Sequence, residues 1–85
     1  MNYKIEFTTK SLRIIKKIPQ ASSSLLHIEL KKLADNPRLG EKRAGEVNTY
    51  RYRMGKYRII YEIYDQKLVV LAVHFGHRKE VYRDL

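Results

Sequence analysis

The chain has 85 residues, no cysteine and a formal net charge of +9, from 18 basic and 9 acidic residues. This length predicts one small domain over residues 1–85, the charge favours a polyanionic partner, and the lack of cysteine excludes disulfides, thiolate metal sites and a cysteine nucleophile. No segment approaches the roughly 20 apolar residues of a membrane span and the start is strand-like, so we expect no signal peptide, no membrane binding and a reducing, cytoplasmic location.

The first elements predicted along the chain are a strand and a helix. Residues 2–7 alternate polar and apolar side chains, which is typical of a short strand. Thr8 or Thr9 would cap a helix over residues 10–18, which Pro19 ends. The apolar positions of this helix are Leu12, Ile15 and Ile18.

A second helix is predicted from Gln20 or Ser22 to Asn36, where the following Pro37 disfavours helical backbone. The two helices are expected to form an antiparallel hairpin with a common apolar side. His27 lies beside the apolar stripe and is expected at the surface. The stripe consists of Leu26, Leu30 and Leu33, widened by Leu25 and Ile28.

Residues 38–46 contain two glycines and mixed charges, which predicts a loop. A β-hairpin follows, with strands at 49–54 and 57–63 around Gly55-Lys56, because glycine suits the positive φ at the first central position of a type II′ turn. The resulting register places six apolar or aromatic residues on one face: Tyr50, Tyr52, Met54, Tyr57, Ile59 and Tyr61. The opposite face collects Arg51, Arg53 and Arg58.

Three arginines on one face are open to two interpretations. They could protect an edge strand by charge, or they could bind phosphate, because the guanidinium fork matches phosphate oxygens. Arg53 would face Arg58 directly, and the sequence reveals no carboxylate between them. Arginine interleaved with tyrosine also suits stacked single-stranded RNA, although alternating tyrosine is ordinary in sheets. We expect most tyrosine rings in the core and one or two at most against a base.

The last predicted strand covers residues 67–75, which are nearly all apolar and therefore typical of a strand inside its sheet. Gly76 is expected to end it, and residues 77–85 form a polar tail that could make one helical turn. The order β-α-α-β-β-β predicts an α+β fold, in which a helical hairpin packs on one face of a mostly antiparallel four-stranded sheet. The arginine face of the sheet stays open to a partner.

Three stretches together resemble the RelE/ParE toxin superfamily, and most of all its RelE branch: residues 36–42 (NPRLGEK), 50–63 (YRYRMGKYRIIYEI) and 76–82 (GHRKEVY). The resemblance covers essentially the whole chain. It implies a toxin of a type II toxin–antitoxin system, acting without a metal or other cofactor. Such a toxin cleaves translated mRNA in the ribosomal A site through 2′-OH attack on the adjacent phosphate. It also implies the strand order 1-4-3-2, with the Arg51 strand at an edge.

The resemblance carries over to individual residues. Arg58 matches the arginine that RelE toxins place against the scissile phosphate, and Arg78 matches the arginine after the last strand. Tyr82 matches a tyrosine near the C-terminus that stacks on the nucleotide or transfers a proton. Further phosphate or RNA contacts are expected from Arg51, Arg53, Lys56 and Lys79.

The acid and base of such a cleavage are not evident from the sequence. Arg51 and Arg53 fall where a RelE toxin can carry two lysines, and arginine practically never loses its proton, so here they can only bind charge. His77 and His74 have the appropriate intrinsic pKa range, and His77, next to Arg78, completes the predicted catalytic set. Glu62 is a further candidate for the base, since it shares the face of Arg58.

The resemblance also implies partners: the ribosome with its mRNA, and an acidic antitoxin through which the complex binds operator DNA. Two alternatives stay open. The ParE branch shares the fold but inhibits DNA gyrase, and a member of the superfamily could bind RNA without cleaving it.

Overall fold

Two helices pack on one face of a five-stranded sheet in the structure, a computed structural model that describes residues 2–77. The strand order is β1-β5-β4-β3-β2, with β1 parallel to β5 and the other neighbours antiparallel. This confirms the predicted α+β class. The helices are α1 (Thr9–Lys16) and α2 (Gln20–Asp35), and the strands are β1 (Lys4–Phe7), β2 (Glu41–Lys42), β3 (Thr49–Met54), β4 (Tyr57–Tyr64) and β5 (Val69–His77).

The hairpin of β3 and β4 has the predicted turn and register. Gly55 has a φ of 61°, whereas Lys56 is not among the residues with positive φ, as a type II′ turn requires. The pairs run from Met54–Tyr57 through Arg53–Arg58 to Tyr50–Tyr61. Because paired residues share a face, the separation of tyrosines from arginines is also confirmed.

The prediction of four strands and of an arginine strand at the edge was wrong. Part of the expected loop forms a 3-10 turn at Pro37–Leu39 and then β2, which pairs Glu41 with Arg51 and Lys42 with Tyr50. The edge strand of the sheet is therefore β2. The pairing depends on a close backbone approach, because a Cβ on Gly40 would collide with the Tyr61 hydroxyl and the Arg51 carbonyl.

The first helix is capped as predicted but is shorter. Thr8 Oγ1 accepts a hydrogen bond from the Ser11 amide at 3.2 Å, so Thr8 is the N-cap. The helix ends at Lys16 instead of reaching Ile18, and α2 begins directly after Pro19.

The apolar stripe of α2 is narrower than predicted. Leu26 and Leu33 are buried, and Leu30 packs partly buried against them. Leu25 and Ile28 are 46% and 54% exposed, so the prediction that they widen the buried stripe was wrong. Residues 26, 30 and 33 follow the helical repeat toward the sheet, and each neighbouring position turns about 100° away from that line. The exposed side chain of His27 agrees with the prediction.

The core lies between the helices and the tyrosine face of the sheet. It contains Tyr61, whose relative exposure is 0%, and two pairs of stacked rings, Tyr50 with Tyr61 and Tyr57 with Phe75. Other buried members are Leu26, Leu33, Met54, Ile59, Ile63, Val70 and Ala72. No helix among the described residues is long and apolar enough to cross a membrane.

The last strand lies between β1 and β4, which confirms that it is interior to the sheet. It begins at Val69 instead of residue 67, because Asp65–Lys67 forms a 3-10 turn and Leu68 is left-handed with a φ of 53°. It also continues through Gly76 to His77, contrary to the prediction. Gly76 pairs with Arg58, so the ladder with β4 holds this glycine in extended backbone. The helical turn predicted in the tail lies outside the described residues.

Candidate functional site

The arginines of the hairpin lie on the face of the sheet that turns away from the helices. Arg53 stands directly opposite Arg58, and Arg51 stands opposite Ile60. The tyrosine face packs into the core, so strand alternation directs all three guanidinium groups to the other side. Arg53 is exposed, while Arg51 and Arg58 are half-buried.

A pocket of about 240 Å³ lies among these arginines and is called here the arginine pocket. Three guanidinium groups lining one small concavity suit an anion with several oxygens, such as a phosphate group. The pocket is lined by Leu39, Glu41, Arg51, Tyr52, Arg53 and Arg58.

Glu41 is the carboxylate of this pocket. Its Oε2 lies 3.4 Å from Arg51 Nε, and the side chain is 72% exposed. The two groups form an ion pair without hydrogen-bond geometry, since the buried Arg51 Nε has no hydrogen-bond partner in the structure. Arg51 therefore keeps hydrogen-bonding capacity for a ligand.

The predicted candidates for acid and base lie at different distances from the pocket. Register places Glu41, Arg51, Ile60 and His74 in one row across the sheet. Neighbouring strands are about 4.8 Å apart, so the backbone of His74 is roughly 10 Å from that of Arg51. The side chain of Ile60, which is 1% exposed, lies between them. His74 is half-buried on the face that turns away from the helices, and it does not line the pocket.

Glu62 is also displaced from the pocket. It lies four residues beyond Arg58 on the same strand, roughly 13 Å away in extended backbone. Its carboxylate accepts a hydrogen bond from the Tyr64 hydroxyl at 2.5 Å, which raises the pKa of Tyr64. Glu62 shares a face of the sheet with Arg58, as predicted, but it does not line the arginine pocket.

The remaining predicted residues lie at the turn and beyond the last strand. Lys56 is exposed in the hairpin turn, next to the Met54–Tyr57 pair. The backbone of His77 pairs with Tyr57, one position beyond the pair of Arg58 with Gly76. The side chain of His77, and all of Arg78, Lys79 and Tyr82, lie outside the described structure.

One tyrosine of the hairpin reaches the pocket. Tyr52 packs against the core and also lines the arginine pocket, and its hydroxyl donates to Glu29 Oε2 on α2 at 2.6 Å. Burial, together with the bond to Glu29, raises the pKa of Tyr52 to about 12, so this phenol stays protonated at neutral pH. The same bond lowers the pKa of Glu29. The Tyr52 ring is thus held on the core side of the sheet, against α2.

Sequence reasoning missed Glu41 and Leu39, which it assigned to a loop. Their position depends on Tyr61, whose hydroxyl donates to the Pro37 carbonyl at 2.6 Å and accepts from the Gly40 amide at 3.1 Å. These contacts join residues more than twenty positions apart, which local patterns do not report. The only local signal was Gly40, since a glycine can mark close backbone approach. Among the described residues, no group of three His, Asp or Glu is arranged to hold a metal ion.

Comparison with known proteins agrees with the fold and the motifs. A family model described as the ParE toxin of the type II toxin-antitoxin system, parDE, matches residues 5–82. Toxin RelG of Mycobacterium tuberculosis is 30% identical over 98% of this chain and 99% of its own. An arginine-to-alanine double mutant of E. coli toxin RelE in the free state superposes with a TM-score of 0.81, at 26% identity over 98% of this chain and 93% of that one.

A toxin–antitoxin complex is also among the similar structures. The RelBE2 complex of Mycobacterium tuberculosis contains a chain with a TM-score of 0.75 and 29% identity, covering 92% of this chain and 93% of that one. The matched family model spans nearly the whole sequence, and the relatives match over nearly their full length. The chain therefore belongs to the ParE toxin family of type II toxin–antitoxin systems and is a RelE-like member of the RelE/ParE superfamily.

Proposed function

We propose that this toxin is a ribosome-dependent endoribonuclease that cleaves translated mRNA in the A site. The 2′-OH of one nucleotide attacks the adjacent phosphate, and translation stops. The observation that carries the proposal is the convergence of Arg51, Arg53 and Arg58 on one pocket at the face of the sheet opposite the helices.

The arginine pocket has the charge that this reaction needs. Attack by the 2′-OH builds negative charge on the phosphorane oxygens, and fixed donors stabilise such charge more than they stabilise the ground state. Arg53 and Arg58 stand directly opposite each other, an arrangement that destabilises a free sheet. A phosphate group between them would face both guanidinium groups and reduce the repulsion between these two like charges.

The roles that we propose for the hairpin residues use their positions around the arginine pocket, and those for the residues from His77 onward use the resemblance of the sequence motif. Arg58 holds the scissile phosphate, Arg51 and Arg53 bind its oxygens or those of the next phosphate, and Lys56 contacts the RNA backbone from the turn. In the segment that begins at His77, we propose that His77 transfers a proton and that Arg78 stabilises the negative charge of the transition state. Lys79 would contact the RNA backbone. Tyr82 would stack on a base or protonate the leaving oxygen.

We also propose an acidic antitoxin as the physiological partner. The similar structures include toxin–antitoxin complexes, and a charge of +9 attracts an acidic chain. Three apolar side chains on the helices are exposed, which suits a partner segment that folds on binding: Leu12, Leu25 and Ile28. The complex would contact operator DNA through the antitoxin.

The test is to add the purified protein to a translating extract and map mRNA ends by primer extension. We expect new 5′ ends at codon spacing that require both translation and Arg58. Uncut mRNA in the presence of the wild-type protein would contradict the proposal. The matched control is Arg38→Ala, which removes an arginine outside the arginine pocket.

A second candidate function is inhibition of DNA gyrase, which is favoured by the match to the ParE family model. It predicts that purified gyrase and supercoiled DNA accumulate cleaved DNA complexes when the toxin is added. A member that only binds RNA would produce neither cut mRNA nor gyrase complexes, so the two assays separate all three cases.

A further inference from the structure

The arginine pocket supplies positive charge, but its arginines cannot remove a proton. The 2′-OH must lose its proton as it attacks, and a base contributes when it lies within hydrogen-bond reach of that proton. Arginine stays protonated under all ordinary conditions. Among the described residues that line the pocket, Glu41 is the one that carries a carboxylate.

We propose that Glu41 is the general base of this toxin, an inference that rests on the proposed ribonuclease function. Its register partner is Arg51, and its carboxylate lies 3.4 Å from the guanidinium that would hold a phosphate oxygen. A phosphate group bound to Arg51 therefore places the nucleotide that carries it next to the Glu41 carboxylate. Neither His74 nor Glu62 lines the pocket.

The fold positions Glu41 from the core outward. The buried Tyr61 hydroxyl binds the Pro37 carbonyl and the Gly40 amide, which leads the chain directly into β2. Burial raises the pKa of Tyr61 to about 12, so the phenol keeps the proton that it donates to Pro37. Gly40 leaves no room for a side chain, and β2 then sets Glu41 opposite Arg51 on the face that carries the arginines. A two-residue strand at the edge of the sheet is thereby held in one register.

The ion pair with Arg51 leaves the carboxylate available. At 3.4 Å, without hydrogen-bond geometry and with Glu41 largely exposed, the pair is weak. A phosphate dianion or diester competes for Arg51 through shorter, charge-assisted hydrogen bonds. Substrate binding thus transfers Arg51 to the phosphate and frees Glu41 to accept a proton from the neighbouring ribose.

A Glu41 carboxylate oxygen takes the 2′-OH proton while the O2′–P bond forms. The P–O5′ bond breaks with its electron pair on O5′, which takes a proton from the acid proposed above or from water. The products are a 2′,3′-cyclic phosphate and a free 5′-OH, and the Glu41 carboxyl returns its proton to solvent.

The experiment compares Glu41→Gln with wild type and with Glu46→Gln, which changes an exposed carboxylate five positions later, between β2 and β3 and outside the arginine pocket. Single-turnover cleavage on programmed ribosomes and the Kd for those ribosomes are measured separately, together with the thermal melt. We expect Glu41→Gln to cleave about 10²–10⁴-fold more slowly, the usual contribution of a general base. Its Kd should be unchanged or tighter, since a negative charge leaves the pocket, and its Tm should match wild type.

The outcomes separate this inference from the function on which it rests. Slow cleavage with unweakened binding in Glu41→Gln, and wild-type rates in Glu46→Gln, support a base at Glu41. If Glu41→Gln cleaves like wild type, or if its loss is entirely in Kd, the inference is overturned while the ribonuclease function stands. If wild-type protein leaves mRNA uncut, the proposed function fails first and the inference fails with it.

Discussion

Two arginine–carboxylate pairs in the described part of this toxin, Arg38–Asp65 and Arg51–Glu41, differ in how completely the arginine is used. Arg38 makes two bonds to Asp65, at 3.1 and 2.7 Å, and Tyr3 donates a third to the same carboxylate at 2.6 Å. Arg51 has one contact with Glu41, at 3.4 Å, and its Nε makes no hydrogen bond. The Arg38–Asp65 pair is bidentate and joins the 3-10 turns at 37–39 and 65–67. The Arg51–Glu41 pair leaves the Nε donor of Arg51 free for a ligand.

This difference separates a structural ion pair from a binding site. A guanidinium whose donors already meet a carboxylate has little to offer a ligand, and the Arg38–Asp65 pair lies outside the arginine pocket. Arg51 shares its pocket with Arg53 and Arg58, so among the described lining residues three positive groups accompany one carboxylate, Glu41. We therefore expect substitutions in the arginine pocket to change cleavage, and substitutions around Arg38 to change stability.

The largest expected effect is on catalysis. Arg58→Ala should reduce mRNA cleavage by about 10²–10³-fold, the usual loss for one donor to transition-state charge, with little change in Tm. Cleavage in a translating extract and a thermal melt measure the two quantities. Arg38→Ala is the control and should keep wild-type cleavage. Full activity of Arg58→Ala would remove Arg58 from the proposed site.

The next largest effect is expected on stability, at the Tyr61 hydroxyl that holds the segment leading into the edge strand β2. Tyr61→Phe removes the hydroxyl that binds Pro37 and Gly40. It should lower the free energy of unfolding by about 1–3 kcal/mol, the range for leaving buried partners unsatisfied. Cleavage should also fall, because Glu41 loses its support.

Urea denaturation of the matched variant Tyr64→Phe provides the comparison. Tyr64 is exposed and its hydroxyl binds only Glu62 among the described contacts, so this change should be nearly neutral. Equal losses of stability in Tyr61→Phe and Tyr64→Phe would show that the hydroxyl contacts of Tyr61 contribute no more to the free energy of unfolding than the surface contact of Tyr64.

A smaller effect tests the repulsion inside the pocket. Arg53→Thr removes one of two like charges that face each other, which should stabilise the free protein by about 0.2–1 kcal/mol at low salt while weakening cleavage. Sulfate should raise the Tm of wild type more than that of the variant, because a ligand of the folded state stabilises it by mass action. A less stable variant with an unchanged sulfate response would make Arg53 a structural residue.

The smallest effect is expected at the structural ion pair, through pH. Arg38, with a further contribution from Tyr3, lowers the pKa of Asp65 to about 2, below the ordinary value of about 3.9. A lowered folded pKa stabilises the fold above the ordinary value, and this stabilisation is lost as pH falls toward the folded one. Wild-type Tm should therefore fall more steeply between about pH 5 and pH 2 than that of Asp65→Asn.

Salt is the control for this prediction. Both residues of the pair are 53% exposed, so the difference between wild type and Asp65→Asn should shrink at about 1 M salt, where the Debye length is about 3 Å. Identical acid profiles at low salt would show that the pair contributes nothing measurable.

The sequence by itself determined the hairpin, its register and the arginine face. These features depend on interactions over a few positions: a glycine that accepts positive φ at residue 55, and alternation that sends Arg53 and Arg58 to one side. The same holds for the Thr8 cap and for the core-facing line of Leu26 and Leu33, which follow local hydrogen bonding and helical periodicity.

Only the tertiary structure decided where the loop before the hairpin lies. The bond from Tyr61 to Gly40 and the β2 pairing bring Glu41 to Arg51, and the ladder with β4 carries β5 through Gly76. The local sequence predicted a loop at residues 38–46 and the end of a strand at Gly76, because glycine and mixed charges usually mark such positions. Their conformation is instead set by a buried hydroxyl and by neighbouring strands, whose contacts join residues far apart in the chain. For this reason, Glu41 could be assigned to the arginine pocket only from the tertiary structure.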